Sequence, residues 1–494
     1  MASMSLAGET TSKETGDKPI PGELAGLRDR WASAMDEFCV PGLAIVVVKD
    51  DKVIYLDTFG DRDIEKKLPV TGDTQFYIAS CTKPFTASGI MTLVDQGKIK
   101  LDDPVKKYLP RLELPDEELT KKLTIRDLLS HAYGINCGPI VFLDAYTGEI
   151  TDDRYYHLLK EFGEVKGAPD YSNIHFTILG RVIESVTGES WRDYLDEAIF
   201  KPAGMTRTTG YADRMYSGDD YATPYEVGAE GLVPATHRKN DNTMHAAGGL
   251  GISINDMARW LRLCMNNGEI DGEQIIESAS IAEMLRLHTK APNGRIRAIK
   301  GFGLAWFVGN FLPDGPAYVS HGGGYIGAGA HMSFLPEKKI GVAILTNSGA
   351  PAAIFADNII SVDIYNKLLD AKVPDLLPGL RVDLIKRLPG LRALAAKRDS
   401  DVRAADVKQL ARPSKSYCGT YTNKWFGTLH VSKAANGLRF KLGSMDLPSI
   451  KFEKDAFTVL VGEQARQGKF RVQGGKVRSV TLELEVGSIR FKRK

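Results

Sequence analysis

The chain has 494 residues, more than one hydrophobic core usually supports, so two domains are expected. Its 64 Lys+Arg against 62 Asp+Glu leave a formal net charge of +2, which argues against a nucleic-acid partner held mainly through phosphates. The best apolar run, Leu43–Val48, is far shorter than the roughly 20 residues a bilayer span needs. The five cysteines (Cys39, Cys81, Cys137, Cys264, Cys418) lack C-x-x-C spacing and a histidine cluster, so neither a disulfide framework nor a zinc site is expected. With a polar start that lacks a secretory apolar stretch, this favours a cytoplasmic, reducing compartment, although a mature secreted form would read the same way.

Residues 1–23 read as a flexible tail. Helical periodicity runs from Leu24 to Phe38, and Pro41-Gly42 then opens two strand patterns around Asp50-Asp51-Lys52. From about Thr82 to Leu287 helical patterns alternate with Gly/Pro/Asn-rich turns. Strand patterns return at Phe302–Val308, Ala317–Ser320 and in the hairpin AHMSFLPEKKIGVAILTNSG. Strands at both ends of a helical region predict an α+β domain over 24–370, with an antiparallel sheet of sequence-distant strands, flanked by helices and carrying a helical insertion. Over 371–413, Pro374, Pro378 and Pro389 interrupt short Leu-rich and basic helical pieces, the pattern of a linker. Beyond it, 414–494 alternates strand patterns with turns at Asn436-Gly437 and Gly474-Gly475, which predicts a C-terminal antiparallel β-barrel of lipocalin-like type.

Three segments carry chemistry. In Ser80-Cys81-Thr82-Lys83-Pro84, a helix starting near Ser80 puts Ser80 and Lys83 one turn apart on one face, with Pro84 in the first turn. A serine hydroxyl needs a base, and a desolvated lysine can serve; the helix start also favours developing negative charge. In Asp170-Tyr171-Ser172-Asn173, a phenol beside an ammonium is expected to have a lowered pKa and to exchange protons, while Asn173 holds Lys83 and a substrate carbonyl. In Ser320-His321-Gly322-Gly323-Gly324-Tyr325, glycines on a strand edge admit a substrate backbone and present N–H donors. Each segment alone has a bland reading: a helix cap with a surface lysine, a capped turn, a glycine-rich strand turn with a packing histidine.

Together, in the order S-x-x-K, Y-x-N, H-x-G, and with the flanks LDDPVKKYLP, TIRDLLSHAYGI and AAGGLGISINDMARW, they resemble the serine β-lactamase and penicillin-binding-protein superfamily. The similarity is greatest to class C β-lactamases, D-aminopeptidases and related esterases, and covers Leu24 to Lys367. The resemblance implies Ser80 as nucleophile, Lys83 as base or proton relay, Tyr171 as the tyrosine of the Y-x-N motif and Asn173 as its companion amide. It also implies a substrate strand at His321, Gly323 and Gly324, with the Gly324 and Ser80 N–H groups forming an oxyanion hole. His321 stands where β-lactamases have lysine, which puts strong penicillin hydrolysis in doubt.

Cys81 reads as packing, and His131 and His245 as anchors, with His245 also able to line the cleft. Trp306 and Tyr325 read either as core or as substrate wall. The expected activity is a serine hydrolase working through an acyl-enzyme on esters or amides of small molecules or short peptides, without metal or cofactor. An acyltransferase and a D-amino-acid-specific peptidase or weak β-lactamase are the alternatives, and a non-catalytic binding or assembly protein ranks last. A homo-oligomer is left open.

Overall fold

The computed structural model describes residues 24–494 apart from 292–297, 406–408, 435–436 and 463, so the expected N-terminal tail and the Asn436 turn position lie outside the described residues. The apolar run at the front of the chain becomes the strand Gly42–Lys49, buried along nearly its whole length because both of its faces are covered. Its alternation sorts the core. Ala44, Val46 and Val48 enter one apolar cluster with Phe85, Ile90 and Trp260, while Leu43, Ile45 and Val47 enter a second with Trp31, Phe38 and Phe355. At Asp50 and Asp51 both φ angles are positive (49° and 61°), as a tight two-residue hairpin requires, and the chain returns as Lys52–Asp63.

On its other edge the central strand pairs antiparallel with Ile340–Thr346, in the register Leu43↔Thr346 through Lys49↔Ile340. The full sheet has nine strands, in the order Thr289–Lys290, Ala298–Phe302, Phe307–Asn310, Ala317–Tyr325, Ala328–Leu335, Ile340–Thr346, Gly42–Lys49, Lys52–Asp63, Leu68–Pro69. It is the expected antiparallel sheet of sequence-distant strands, with two local differences. Phe302–Val308 is the bend of a hairpin and not one strand, because Gly303 to Trp306 turn the chain between two short strands. The strand that begins at Ala317 runs on through the glycines to Tyr325.

Between Leu68–Pro69 and Thr289–Lys290 lies a largely helical region. The helix Lys83–Asp95 is buried over almost every residue, and its Phe85 stacks on Trp260 of the helix Ile254–Met265 with ring centroids 3.9 Å apart. The Pro-containing stretch after 371 differs from expectation. One helix of 28 residues spans Leu377–Ala404 with Pro378 in its first turn and Pro389 inside it. Pro389 is exposed, so its ring displaces one turn of backbone without disturbing a packed face.

The C-terminal strands form a second nine-stranded antiparallel sheet that is nearly closed, with Gly419–Asn423 pairing both Gly427–Lys433 and the last strand, Gly487–Arg493. Phe440, Phe457 and Phe470 fill its interior. This barrel docks on the helical region. Trp425 stacks on His157 at 3.6 Å, Arg154 donates to the Lys424 carbonyl at 2.9 Å, and the Ser444 amide donates to the Thr147 carbonyl at 2.8 Å.

Candidate active site

Ser80 lies in a tight turn, Ala79–Thr82, that feeds directly into the helix Lys83–Asp95. The expected helix start is thus one turn later than Ser80, and Pro84 occupies the first helical turn. Ala79 has φ 47°, a strained conformation for a residue with a Cβ, and it precedes the serine. The turn is pinned from outside: the Thr82 hydroxyl accepts from the Gly249 and Leu250 amides at 3.0 and 3.1 Å, and the Tyr77 hydroxyl donates to the Gly248 carbonyl.

Lys83 is fully buried. Its Nζ sits 3.1 Å from Ser80 Oγ, 2.7 Å from Asn173 Oδ1 and 2.7 Å from the Ala247 carbonyl. Burial pushes its pKa well below the usual lysine value, and among the described residues no carboxylate is bonded to it to oppose that. A neutral amine donates two hydrogen bonds and accepts one. Asn173 Oδ1 and the Ala247 carbonyl can only accept, so they take the two N–H groups and leave the lone pair facing the Ser80 hydroxyl.

Tyr171 shares a hydrogen bond with Ser80 and places its ring under Lys83 Nζ, 4.8 Å from the centroid. Here one expectation is corrected. The phenol pKa is raised, because burial disfavours the phenolate by more than the Ser80 hydrogen bond favours it. Tyr171 therefore stays protonated, as a donor.

The strand Ala317–Tyr325 presses against the serine turn at Gly323, where a Cβ would lie 2.1 Å from the Ile78 carbonyl oxygen. Only glycine permits that approach. At Gly324 a Cβ would meet nothing within 4 Å, so this position opens outward. Of the strand Ala317–Tyr325, only Ala317–Ser320 pairs with Phe307–Asn310, and among the described residues the same edge from His321 to Tyr325 has no strand partner. That edge lies next to the turn that carries Ser80. His321 is buried between Phe307 and Tyr171, with ring centroids 5.5 and 6.0 Å away, and burial lowers its pKa to about 3. It is a neutral imidazole and brings no positive charge to the site.

The residues read as packing behave in different ways. Cys81 is fully buried, and its Sγ donates to the His321 carbonyl at 3.4 Å. Trp306 is core, edge-on to Phe334. Tyr325 is partly buried at the rim and donates to the Ala145 carbonyl at 3.0 Å. His245 lines a polar cavity behind the lysine.

One pairing and one residue escaped sequence reasoning, although His131 was read as an anchor. His131 and His175 are 44 positions apart, yet their Nδ1 atoms are 3.1 Å apart beneath Tyr171. The Ile135 amide donates to His175 Nε2 and the Ser172 amide to His131 Nδ1, so the shared proton belongs to His175 Nδ1 and both rings are neutral. The pair anchors the Tyr171 loop. Lys239 is a second buried lysine, donating to the Ala145 and Thr243 carbonyls at 2.7 and 3.1 Å and lying 4.0 Å over the Tyr325 ring. Elsewhere His331 bridges Ser333 (2.8 Å) and Asp357 (2.8 Å) in the order of a catalytic triad, but Ser333 is fully buried and also bonded to Tyr365, which makes it part of the core.

Fold and site together define a protein of the serine β-lactamase and penicillin-binding-protein type. The chain belongs to the Beta-lactamase family, which residues 27–366 match. Among curated relatives, penicillin-binding protein 4 of Amycolatopsis lactamdurans is 27% identical over 365 residues, covering 72% of this chain and 93% of that protein. Protein flp of Staphylococcus aureus is 25% identical over 313 residues, covering 62% of this chain and 60% of that protein. Among solved structures, the octameric penicillin-binding protein homologue from Pyrococcus abyssi aligns over 94% of this chain and 99% of its own, at TM-score 0.59 and 26% identity. Family membership supports serine-hydrolase, acyl-enzyme chemistry in general terms.

Proposed function

We propose that this protein is a serine hydrolase that cleaves esters or amides of small substrates through an acyl-enzyme on Ser80. The observation that carries the reading is the fully buried Lys83, whose two oxygen acceptors leave its lone pair for the serine. In the proposed cycle Ser80 Oγ attacks the carbonyl carbon as its proton passes to Lys83 Nζ. The oxyanion is taken by the backbone N–H groups of Ser80 and Gly324, and the Tyr171 hydroxyl donates to the leaving group and recovers a proton from Lys83, which holds the one taken from Ser80. Water then attacks the acyl carbon with Lys83 as base and releases the acid. Because His321 is neutral, it offers no cation to bind the carboxylate of a penicillin, so esters and uncharged amides are the favoured substrates. Five free cysteines suit a reducing compartment.

The barrel is proposed to limit substrate size. It bonds to Tyr146 and Thr147, and Tyr146 packs on Tyr325 at the end of the glycine strand, 5.4 Å between centroids. A homo-oligomer is also proposed. The helix Leu377–Ala404 exposes Val382, Ile385, Leu391 and Leu394, with Ile385 at 68% exposure, and the Pyrococcus relative is described as octameric.

The test is steady-state hydrolysis of p-nitrophenyl acetate and of an alanine p-nitroanilide, with and without added methanol. Turnover that Ser80→Ala abolishes supports the reading. A methyl ester replacing the acid as main product moves the protein to the acyltransferases, and turnover retained by Ser80→Ala rejects the mechanism.

A further inference from the structure

Behind the catalytic lysine lies a cavity of about 240 Å³ that Ser80, Lys83 and Tyr171 do not line. It follows the helix Asn173–Thr187 away from Asn173, along the face that carries Thr177, Gly180, Arg181 and Glu184. The strip Met244–Ala247 divides it from the serine site. On one side the Ala247 and Ala246 carbonyls accept from Lys83 and from the Thr86 hydroxyl, each at 2.7 Å; on the other, Met244, His245 and Ala246 face the cavity. Gly180 allows this strip to lie on the helix, since a Cβ there would be 2.6 Å from the Ala246 Cβ.

The lining is charged, and its charges are unevenly engaged. Asp144 is only 7% exposed, and its Oδ2 has no hydrogen-bond partner among the described residues. The same is true of Arg181 Nε and His245 Nδ1. Arg181 lies 3.6 Å over the Tyr155 ring and donates from Nη1 to the Thr177 carbonyl at 3.2 Å; its Nε is 3.5 Å from Asp152 Oδ1. Arg192 donates to the Asp241 and Met244 carbonyls at 2.7 and 2.5 Å. Glu184 Oε1 accepts from the Trp191 amide at 3.4 Å. Burial raises the Asp144 carboxyl's pKa, while Arg181, Lys239 and Arg192 pull it down.

We propose that this cavity is a second ligand site, separate from the serine centre, for a small zwitterion whose ammonium group meets Asp144 and Glu184 and whose carboxylate meets Arg181. A simple anion would face the carboxylates of Asp144, Glu184 and Asp241 and a simple cation the guanidinium groups of Arg181 and Arg192, and a buried charge left unpaired is costly. A ligand bearing both signs engages carboxylate and guanidinium together, and the volume fits a molecule of free amino-acid size and not a single water.

Isothermal titration calorimetry of the full-length protein tests this, using glycine, L-alanine and L-serine as zwitterions and methylamine and acetate as single-charge probes. The expected result is one-to-one binding of at least one amino acid, with both single-charge probes weaker by about tenfold or more, as loss of a charge-assisted contact implies. Arg181→Met and Glu184→Gln should each weaken that binding by about tenfold. Neither residue touches the serine site, so a loss in either variant also places the ligand in this cavity. Should a variant fail to fold, the wild-type comparison of zwitterion with half-ligands still decides. No heat with any amino acid, equal affinity for acetate, or binding unchanged in both variants overturns the proposal, and so do crystals soaked in glycine that show only ordered water in the cavity.

Discussion

At the scale of single residues, the proposed chemistry rests on one buried amine whose pKa burial lowers. Lys83→Arg should lower the acylation rate by about a hundredfold to ten-thousandfold, because a guanidinium cannot be deprotonated there. Stopped-flow release of p-nitrophenol measures it, and a rate within about threefold of wild type would remove Lys83 from the role of base. Acid sensitivity follows from the neutral histidines. His175 and His321 titrate near 3 in the folded state and near 6.5 when unfolded. Below pH 6.5 the unfolded chain therefore binds more protons than the folded one, so stability is fully present above 6.5 and declines as the pH falls toward 3. Urea unfolding at a series of pH values should show that decline, and His175→Gln should flatten it; an unchanged slope in the variant would contradict the assignment. Ser80, Lys83, Tyr171 and Asn173 were legible as residues because the spacing within each short motif carries the chemistry. The His131–His175 pair was not, since only the fold closes the 44 positions between them. Nor was the direction of the Tyr171 shift, which depends on burial and leaves no trace in a string of letters.

At the scale of elements, the nucleophile turn and the glycine strand work as a pair held at backbone contact. Gly323→Ala should force them apart and cost about 1–3 kcal/mol of stability together with most of the activity. Gly324→Ala, where the new methyl group meets open space, should leave the unfolding midpoint within about 0.5 kcal/mol of wild type. Thermal unfolding and ester hydrolysis of the two variants, side by side, check the contrast, and equal damage from both would mean that the strand does not approach the turn as described. Such contacts explain what a sequence can reveal at this level. The central strand was readable because a run buried on both faces shows as continuous apolar residues, and the hairpin at Asp50-Asp51 because its turn residues are local. The continuity of Leu377–Ala404 was not readable. Its prolines signal breaks, and only exposure of the Pro389 turn reveals that a helix passes through.

At the scale of the whole molecule, barrel, helical region and sheet form one chain of contacts from Ser444 through Tyr146 and Tyr325 to the glycine strand. The barrel's existence was legible in its alternating strands, but its docking was not, because Trp425 and His157 meet 268 positions apart. The exposed apolar strip on the long helix predicts that Ile385→Glu shifts the protein from an oligomer to a smaller species in light scattering coupled to size exclusion. A wild type that is already monomeric would contradict that assembly. The central claim, an acyl-enzyme on Ser80, is tested most directly by intact-protein mass spectrometry after brief exposure to an activated p-nitrophenyl ester, comparing wild type with Ser80→Ala. The account predicts a mass increase of one acyl group in the wild type and none in the variant. The same adduct on both proteins, or none on either, would contradict it.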